Sequence, residues 1–341
     1  MTNIRPLLFL LLAVSIVGSV ACGTNDPAST PTIPVQVVPQ IFPFAIPSSG
    51  VFDRKWGTYG SDDGQFNVPV SVAVASDGSV YVADGGNYRI QKFTSEGVFV
   101  SKWVTSGTGD EQFNVPVSVA VASDGSVYVA DGGNYRRRIQ KFTSEGVFVS
   151  QLGKGRGEMA FSQLANAQYR EFNGPSSLAV AFDGSVYVAD TNRHRIEKFT
   201  SEGVFVSKWG TRGRGDGQLQ LPVGVAVAFD GSVYVADTTN HRIQKFTSEG
   251  VFVSKWGTGG SGDGEFNHPR GVAVAFDGSV YVSDRNNSRI QQFTSEGVFV
   301  SKWGTGDGEF LGPEGVAVAS DGSVYVAESE GNRIQKFAPG P

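Results

Sequence analysis

The chain has 341 residues, 40% of them hydrophobic and 45 of them glycine, which suits many short strands joined by tight turns. A formal charge of -5 argues against bulk attraction to nucleic acid or anionic lipid, and a single cysteine excludes an intramolecular disulfide. With one cysteine and only His194, His241 and His268, a cysteine–histidine zinc cluster is not expected.

In chain order, residues 1–21 read as an export signal. Arg5 supplies a positive start, and Leu7 to Ala21 is an apolar run short for a permanent span. Ser19 to Cys22 (SVAC) resembles a bacterial lipoprotein processing box, with Ser19 where such boxes usually carry a bulky aliphatic residue. That resemblance implies lipidation at Cys22. Gly23 follows it, so the outer membrane is the expected destination in a diderm host. An ordinary cleaved signal, giving a secreted protein, is the alternative. Residues 22–49 carry Pro27, Pro31, Pro34, Pro39, Pro43 and Pro47 and almost no charge, which reads as a semi-rigid tether.

From residue 50 to 338 the chain repeats itself. DGSVYVAD, or a close variant, begins at Asp77, Asp124, Asp183, Asp230, Asp277 and Asp321, so the steps are 47, 59, 47, 47 and 44 residues. Periods in the forties with several strands per unit indicate a propeller. The long step holds two extra arginines in NYRRRI (Asn134 to Ile139) and an insert over about 153–174. That insert has helical spacing at Phe161, Leu164, Ala165 and Gln168, and reads either as a short capping helix or as a packed loop.

Each unit offers four strands, such as VSVAVA, SVYVAD, RIQKF and GVFVSKW, separated by SDG or FDG and SEG turns. In SVYVAD the valines face one way and Tyr81 and Ala83 the other, so the sheet is apolar on both sides and must be covered on both. The last unit lacks a fourth strand, and an orphan one, GVFDRKWG, precedes the first unit. The expected fold is therefore all-β: a six-bladed propeller of four-stranded antiparallel blades, its ring closed by the N-terminal strand. The pattern of YVAD, N-x-RI-x-KF and G-x-F-x-x-x-W-G resembles the NHL-repeat family of six-bladed propellers, which holds enzymes, sensors and binding modules alike.

Residues that recur from copy to copy, with Leu152 replacing the tryptophan once, read as scaffold. These are the carboxylates Asp84 to Glu328 that end the second strand, the arginines Arg89 to Arg333 that begin the third, and the tryptophans that end the fourth. His194 and His241 read as exposed loop residues. The loops entering the first strand and those joining the second to the third differ between copies and share one face, where a repeat protein diversifies to bind.

The residues after the loop prolines, namely Val70, Val117, Ser176, Val223, Arg270 and Glu314, are expected to line the channel. His268, Arg270, Glu314 and Ser176 are the ligand-binding candidates, with a simple rim ion pair as the competing reading. Positive charge in the middle units makes Arg136, Arg137, Arg138, Arg156, Arg212 and Arg214 partner-binding candidates. Acidic residues, including Asp62, Asp63, Asp263, Glu309, Glu328 and Glu330, gather in the first, fifth and sixth units.

The expected function is a membrane-tethered extracytoplasmic binding or scaffold propeller for a protein, peptide or glycan, without nucleic acid, metal or cofactor. The alternative is a propeller hydrolase or lyase, lactonase-like or amidating-lyase-like, acting at the channel mouth. Such enzymes imply a channel metal, for which four apolar or small positions, one arginine and one glutamate make a poor cage.

Overall fold

The computed structural model describes residues 50–103, 105–107, 109–133, 137–152, 172–304 and 309–339. All belong to one compact unit, Ile46–Pro341. The signal, the tether, Cys22, Arg136, Arg156 and most of the insert lie outside the described residues.

Six four-stranded antiparallel sheets follow one plan. In the first blade the order from the axis outward is Pro69–Val74, Val80–Asp84, Arg89–Phe93, Phe99–Trp103. The hydrogen-bonded corners are short because SDG and SEG are tight turns. Gly78 N–H donates to Ala75 O and Gly97 N–H to Thr94 O, both glycines at positive φ. Gly97 has a second reason to lack a side chain: a Cβ there would sit 2.6 Å from the Trp56 ring.

The innermost strands form a closed ring. Pro69–Val74 packs on Pro116–Val121, and contact continues through Pro175–Val180, Val225–Val227, Pro269–Val274 and Pro313–Val318, which returns to Pro69–Val74. The orphan strand does what the sequence expects. Val51–Trp56 pairs antiparallel with Arg333–Ala338, setting Trp56 opposite Ile334 and Val51 opposite Ala338. The sixth blade is therefore built from both ends of the propeller segment.

The core lies between blades rather than within them. Tyr81, Ala83 and Ile90 of the first blade meet Val127, Val129 and Phe142 of the second. The last seam repeats this with Tyr325, Ala327 and Ile334 against Val80, Val82 and Phe93. Trp56 spans the seam, its ring 6.0 Å from Phe93 and 6.3 Å from Tyr325. No blade holds a complete core of its own, which is the physical content of the repetition.

Candidate functional site

The variable loops are held rigidly, and the repeated arginine and carboxylate do the holding. In the first blade Asp84 and Arg89 stand opposite each other, with Arg89 Nε 2.7 Å from Asp84 Oδ2. The rest of the guanidinium donates to the carbonyls of Ser61, Asp62 and Gln65, while Asp84 Oδ1 accepts the Asn67 N–H. Arg242 and Arg289 repeat this in the fourth and fifth blades. The pair thus joins two strand ends, as expected, and also pins the loop that precedes the first strand. Copy-to-copy sequence change on that face is carried on a fixed loop backbone.

Arg138 is a correction to the basic sector. It is fully buried, lies 3.6 Å from Asp131 and donates to Gly109 O and Gln112 O, so it is a loop anchor and no partner-facing cation. Glu328 likewise leaves the acidic sector: it is buried and pairs with Arg333 at 2.8 Å. Arg212 and Arg214 are exposed, and Arg137 is half-buried and donates to Asn173 Oδ1. Exposed acids are partly neutralised, Asp63 by Lys102 at 2.6 Å and Asp263 by Lys302 at 2.5 Å.

The channel mouth on this loop face opens into a cavity of about 560 Å³. Its wall includes all six positions that follow the loop prolines: Val70, Val117, Ser176, Val223, Arg270 and Glu314. Charge is confined to one side. Arg270 Nη1 lies 3.1 Å from Glu314 Oε2, and Arg285 Nε lies 2.6 Å from Glu314 Oε1. Arg285 also reaches Glu330 Oε1 at 3.0 Å, and Ser329 Oγ donates to Glu314 Oε1 at 3.4 Å. The result is a chain of alternating charge across the fifth and sixth blades. Glu314 is only 9% exposed and held by two arginines, whereas the Arg270 side chain is 41% exposed and its buried Nε has no hydrogen-bond partner. The sequence marks Glu330 only as one of the gathered acidic residues and does not mark Arg285. Both occupy the loop between second and third strands, and only the ring brings that loop to the residue after the next blade's proline.

His268 also lines the cavity. Its Nδ1 lies 2.9 Å from Asn267 Oδ1 and 3.1 Å from Asn286 Nδ2, and its ring meets His241 edge-on at 4.7 Å. Burial, then the neighbouring His241, Arg270 and Arg285, hold the His268 pKa below the usual histidine value, so the ring is neutral at neutral pH. The other two histidines act as ties between blades. His241 Nδ1 accepts the N–H of His268, and His194 Nδ1 accepts that of Leu221, as Asn332 Oδ1 accepts that of Val68 at the closing seam. All three acceptors belong to residues at positive φ, a conformation that asparagine tolerates better than most side chains. Ser176 is committed in the same way, its Oγ 2.9 Å from Val223 O and 2.5 Å from Thr191 Oγ1. Among the described residues, no three His, Cys, Asp or Glu side chains converge as a bound metal ion would require.

The third blade departs from the scaffold at one buried position. Five copies carry glutamine in the middle of the third strand, and Gln91 and Gln244 each donate to the strand-end aspartate, at 3.2 and 3.1 Å. Here Glu197 takes that place, 1% exposed, and draws Arg195 into an ion pair. Arg195 Nε is left 3.6 Å from Asp190 and without a hydrogen bond. Burial first, with a contribution from the Glu197 charge, pushes the Asp190 pKa up to about 6. Because the folded state binds this proton more tightly than the unfolded chain does, stability falls as pH rises from about 4 to about 6. Glu197→Gln restores the donor and removes the charge. It is expected to raise stability by about 1–2 kcal/mol at neutral pH, with a smaller gain near pH 4, in urea titrations. An unchanged or lower midpoint at neutral pH would show that Glu197 is well accommodated.

A protein-family model for the NHL repeat matches residues 66–93, 113–142, 172–199, 219–246, 266–293 and 310–337. The chain belongs to the NHL-repeat family. Each match runs from the buried loop phenylalanine or leucine to the end of the third strand, so it takes in the loop anchor described above. Human E3 ubiquitin-protein ligase TRIM32 is 59% identical over 44 residues, 13% of this chain and 7% of that protein. The Drosophila melanogaster protein brain tumor is 44% identical over 52 residues, 15% of this chain and 5% of that one. These alignments cover little more than one repeat of much longer relatives. Among solved structures, a streptogramin B lyase superposes with a TM-score of 0.58 at 15% identity, covering 83% of this chain and 96% of that one. A gluconolactonase from Xanthomonas campestris gives 0.60 at 14% identity, covering 86% and 97%. At such identities the likeness is one of fold.

Proposed function

We propose that this NHL-repeat propeller is a membrane-tethered, extracytoplasmic binding module that holds a protein, peptide or glycan over the channel mouth. The observation that carries the reading is the cavity of about 560 Å³, sited where the repeats diverge and charged on one side only. Its volume lies within the range of pockets that take small ligands or the anchoring side chains of a larger one. Val70, Val117 and Val223 offer apolar contact, and Arg270 offers a partly exposed guanidinium in the same cavity. Glu314 is spent on two arginines, which suits it to fixing Arg270 rather than to proton transfer. Support for the tether is the apolar run that ends at Cys22. In the described residues no helix is long and apolar enough to cross a membrane.

Peptide and glycan arrays probed with the purified propeller test the binding role, with Arg270→Glu and the swapped pair Arg270→Glu/Glu314→Arg as variants. Arg270→Glu is expected to weaken capture at least tenfold, a loss of about 1.4 kcal/mol, with little change in melting temperature. Undiminished capture by Arg270→Glu, or turnover of lactones by metal-loaded protein, would overturn the proposal. Fatty-acid labelling in the native host, abolished by Cys22→Ala, tests the anchor.

A further inference from the structure

The opposite face of the disc carries a feature that the loop-face reading does not use. The turns from first to second strand are SDG in the first, second and sixth blades but FDG in the third, fourth and fifth. Phe182, Phe229 and Phe276 are 70%, 63% and 81% exposed. They nevertheless touch one another in sequence, Phe182 to Phe229 at 5.4 Å between ring centroids and Phe229 to Phe276 at 5.2 Å. Three blades thus build a continuous aromatic arc around half of the second channel mouth. Each ring stands on a closed turn, with Gly184, Gly231 and Gly278 N–H groups donating to the alanine carbonyls three residues earlier. The rings are therefore presented by rigid backbone, which lowers the ordering cost of a contact. A contiguous exposed apolar patch of this kind marks an interaction surface, whereas scattered exposed valines on outer strands do not.

The charge around the arc states what it takes. Each phenylalanine is followed by an aspartate, Asp183, Asp230 or Asp277, that accepts the N–H of the serine two residues on. The SEG turns on the same face add Glu202, Glu249 and Glu296. Hydrogen bonds from the adjacent serine hydroxyls come first among the causes that hold all three below the usual glutamate range. The cations there are Lys141, Lys198 and Lys245, and each acts on a glutamate of the next blade. The fifth blade has Gln292 where the others have lysine. Six carboxylates thus face three lysines along the arc, and the fifth blade, with Asp277 and Glu296, contributes no lysine of its own at that position.

We infer that the arc Phe182–Phe229–Phe276 is a docking surface for a cationic, apolar-rich peptide segment of a partner protein. The partner's aliphatic or aromatic side chains cover the rings, and its lysines or arginines meet the flanking aspartates. Arginine also stacks on exposed rings, which suits it to both parts of the surface.

The test uses the whole propeller and a synthetic peptide alternating lysine with leucine, beside two controls: the same peptide with glutamate for lysine, and one with serine for leucine. The variant is Phe182→Ser/Phe229→Ser/Phe276→Ser. Serine is the natural residue at this position in three blades, so the fold accommodates it. The inference expects the lysine–leucine peptide to bind, more weakly as salt rises, and at least tenfold more weakly to the triple variant. It expects neither control to match it. Equal binding by the triple variant would assign the affinity to the acidic turns alone and overturn the inference. So would equal binding of the glutamate control, or a triple variant that changes only self-association or adsorption to neutral phospholipid vesicles. Loop-face capture through Arg270 is read separately and stays intact in this variant, so either proposal can fail without the other.

Discussion

A chain beginning at Thr58 is expected to melt at least about 10 °C below one beginning at Gly50, or to fail to fold cooperatively, in calorimetry at equal concentration. The removed strand does two things at once. It satisfies the outer edge of Arg333–Ala338, and it places Trp56 across the seam between sixth and first blades. Without it the backbone edge of that strand is unpaired, and Phe337 loses its edge-on contact with Phe52 at 6.0 Å. Cutting a fully buried tryptophan to alanine costs about 3–5 kcal/mol; Trp56 is half-buried, so Trp56→Ala should cost less than that and account for part of the loss. A peptide spanning residues 50–57, added in trans to the shortened chain, should recover part of the melting temperature. Identical melting of the two chains would mean that the ring does not depend on its clasp, and the account of blade-on-blade burial would fall with it.

The second large effect is expected at Arg289. Its guanidinium is 2% exposed and bonded to Asp284, Ser261 O, Gly262 O and Glu265 O. Arg289→Met keeps the length and the apolar stem but leaves the buried Asp284 carboxylate without its counter-ion and the Ser261 and Gly262 carbonyls without the guanidinium, while Gln291 still donates to Glu265 O and, with Asn287, to Asp284 Oδ2. Breaking a buried pair in this one-sided way costs about 3–5 kcal/mol. Adding Asp284→Asn should return only part: it removes the unpaired charge and its amide oxygen can still accept the Asn267 N–H that now meets Asp284 Oδ1 at 2.6 Å, but its NH2 faces the Asn287 and Gln291 amides that now donate to Oδ2. Arg285→Met, four residues earlier in the same blade and partly exposed, should cost well under half as much by urea titration, since its ion pairs are wet on one side. If Arg289→Met proved as mild as Arg285→Met, the anchoring of the loop would have to be assigned elsewhere.

Much of the architecture was legible because the repeat is nearly literal. Six copies of SVYVAD, apolar on both faces, demand neighbours on both faces, and the missing fourth strand at the end matches the spare one at the start. The positions lining the channel were legible for the same reason: strand alternation and the loop proline fix which residue faces the axis. Two kinds of property were not. One is burial among chemically identical side chains. Arg138 begins a third strand like the other scaffold arginines but also sits in a run of three, so the pattern places it in both groups, and its burial decides for the scaffold. The other is adjacency between blades. Arg285 lies 29 residues before Glu314, and Phe182, Phe229 and Phe276 are each 47 apart, yet each set meets in space.

The sequence alone therefore determined the unit, the count of units and the way the circle shuts, since these follow from periodicity and from apolar faces that must be buried. The tertiary structure decided which charges are paired, which loops converge on the cavity and which turns form a continuous aromatic surface. Those depend on rotation about a common axis, which places residues one full repeat apart side by side and which no local pattern encodes.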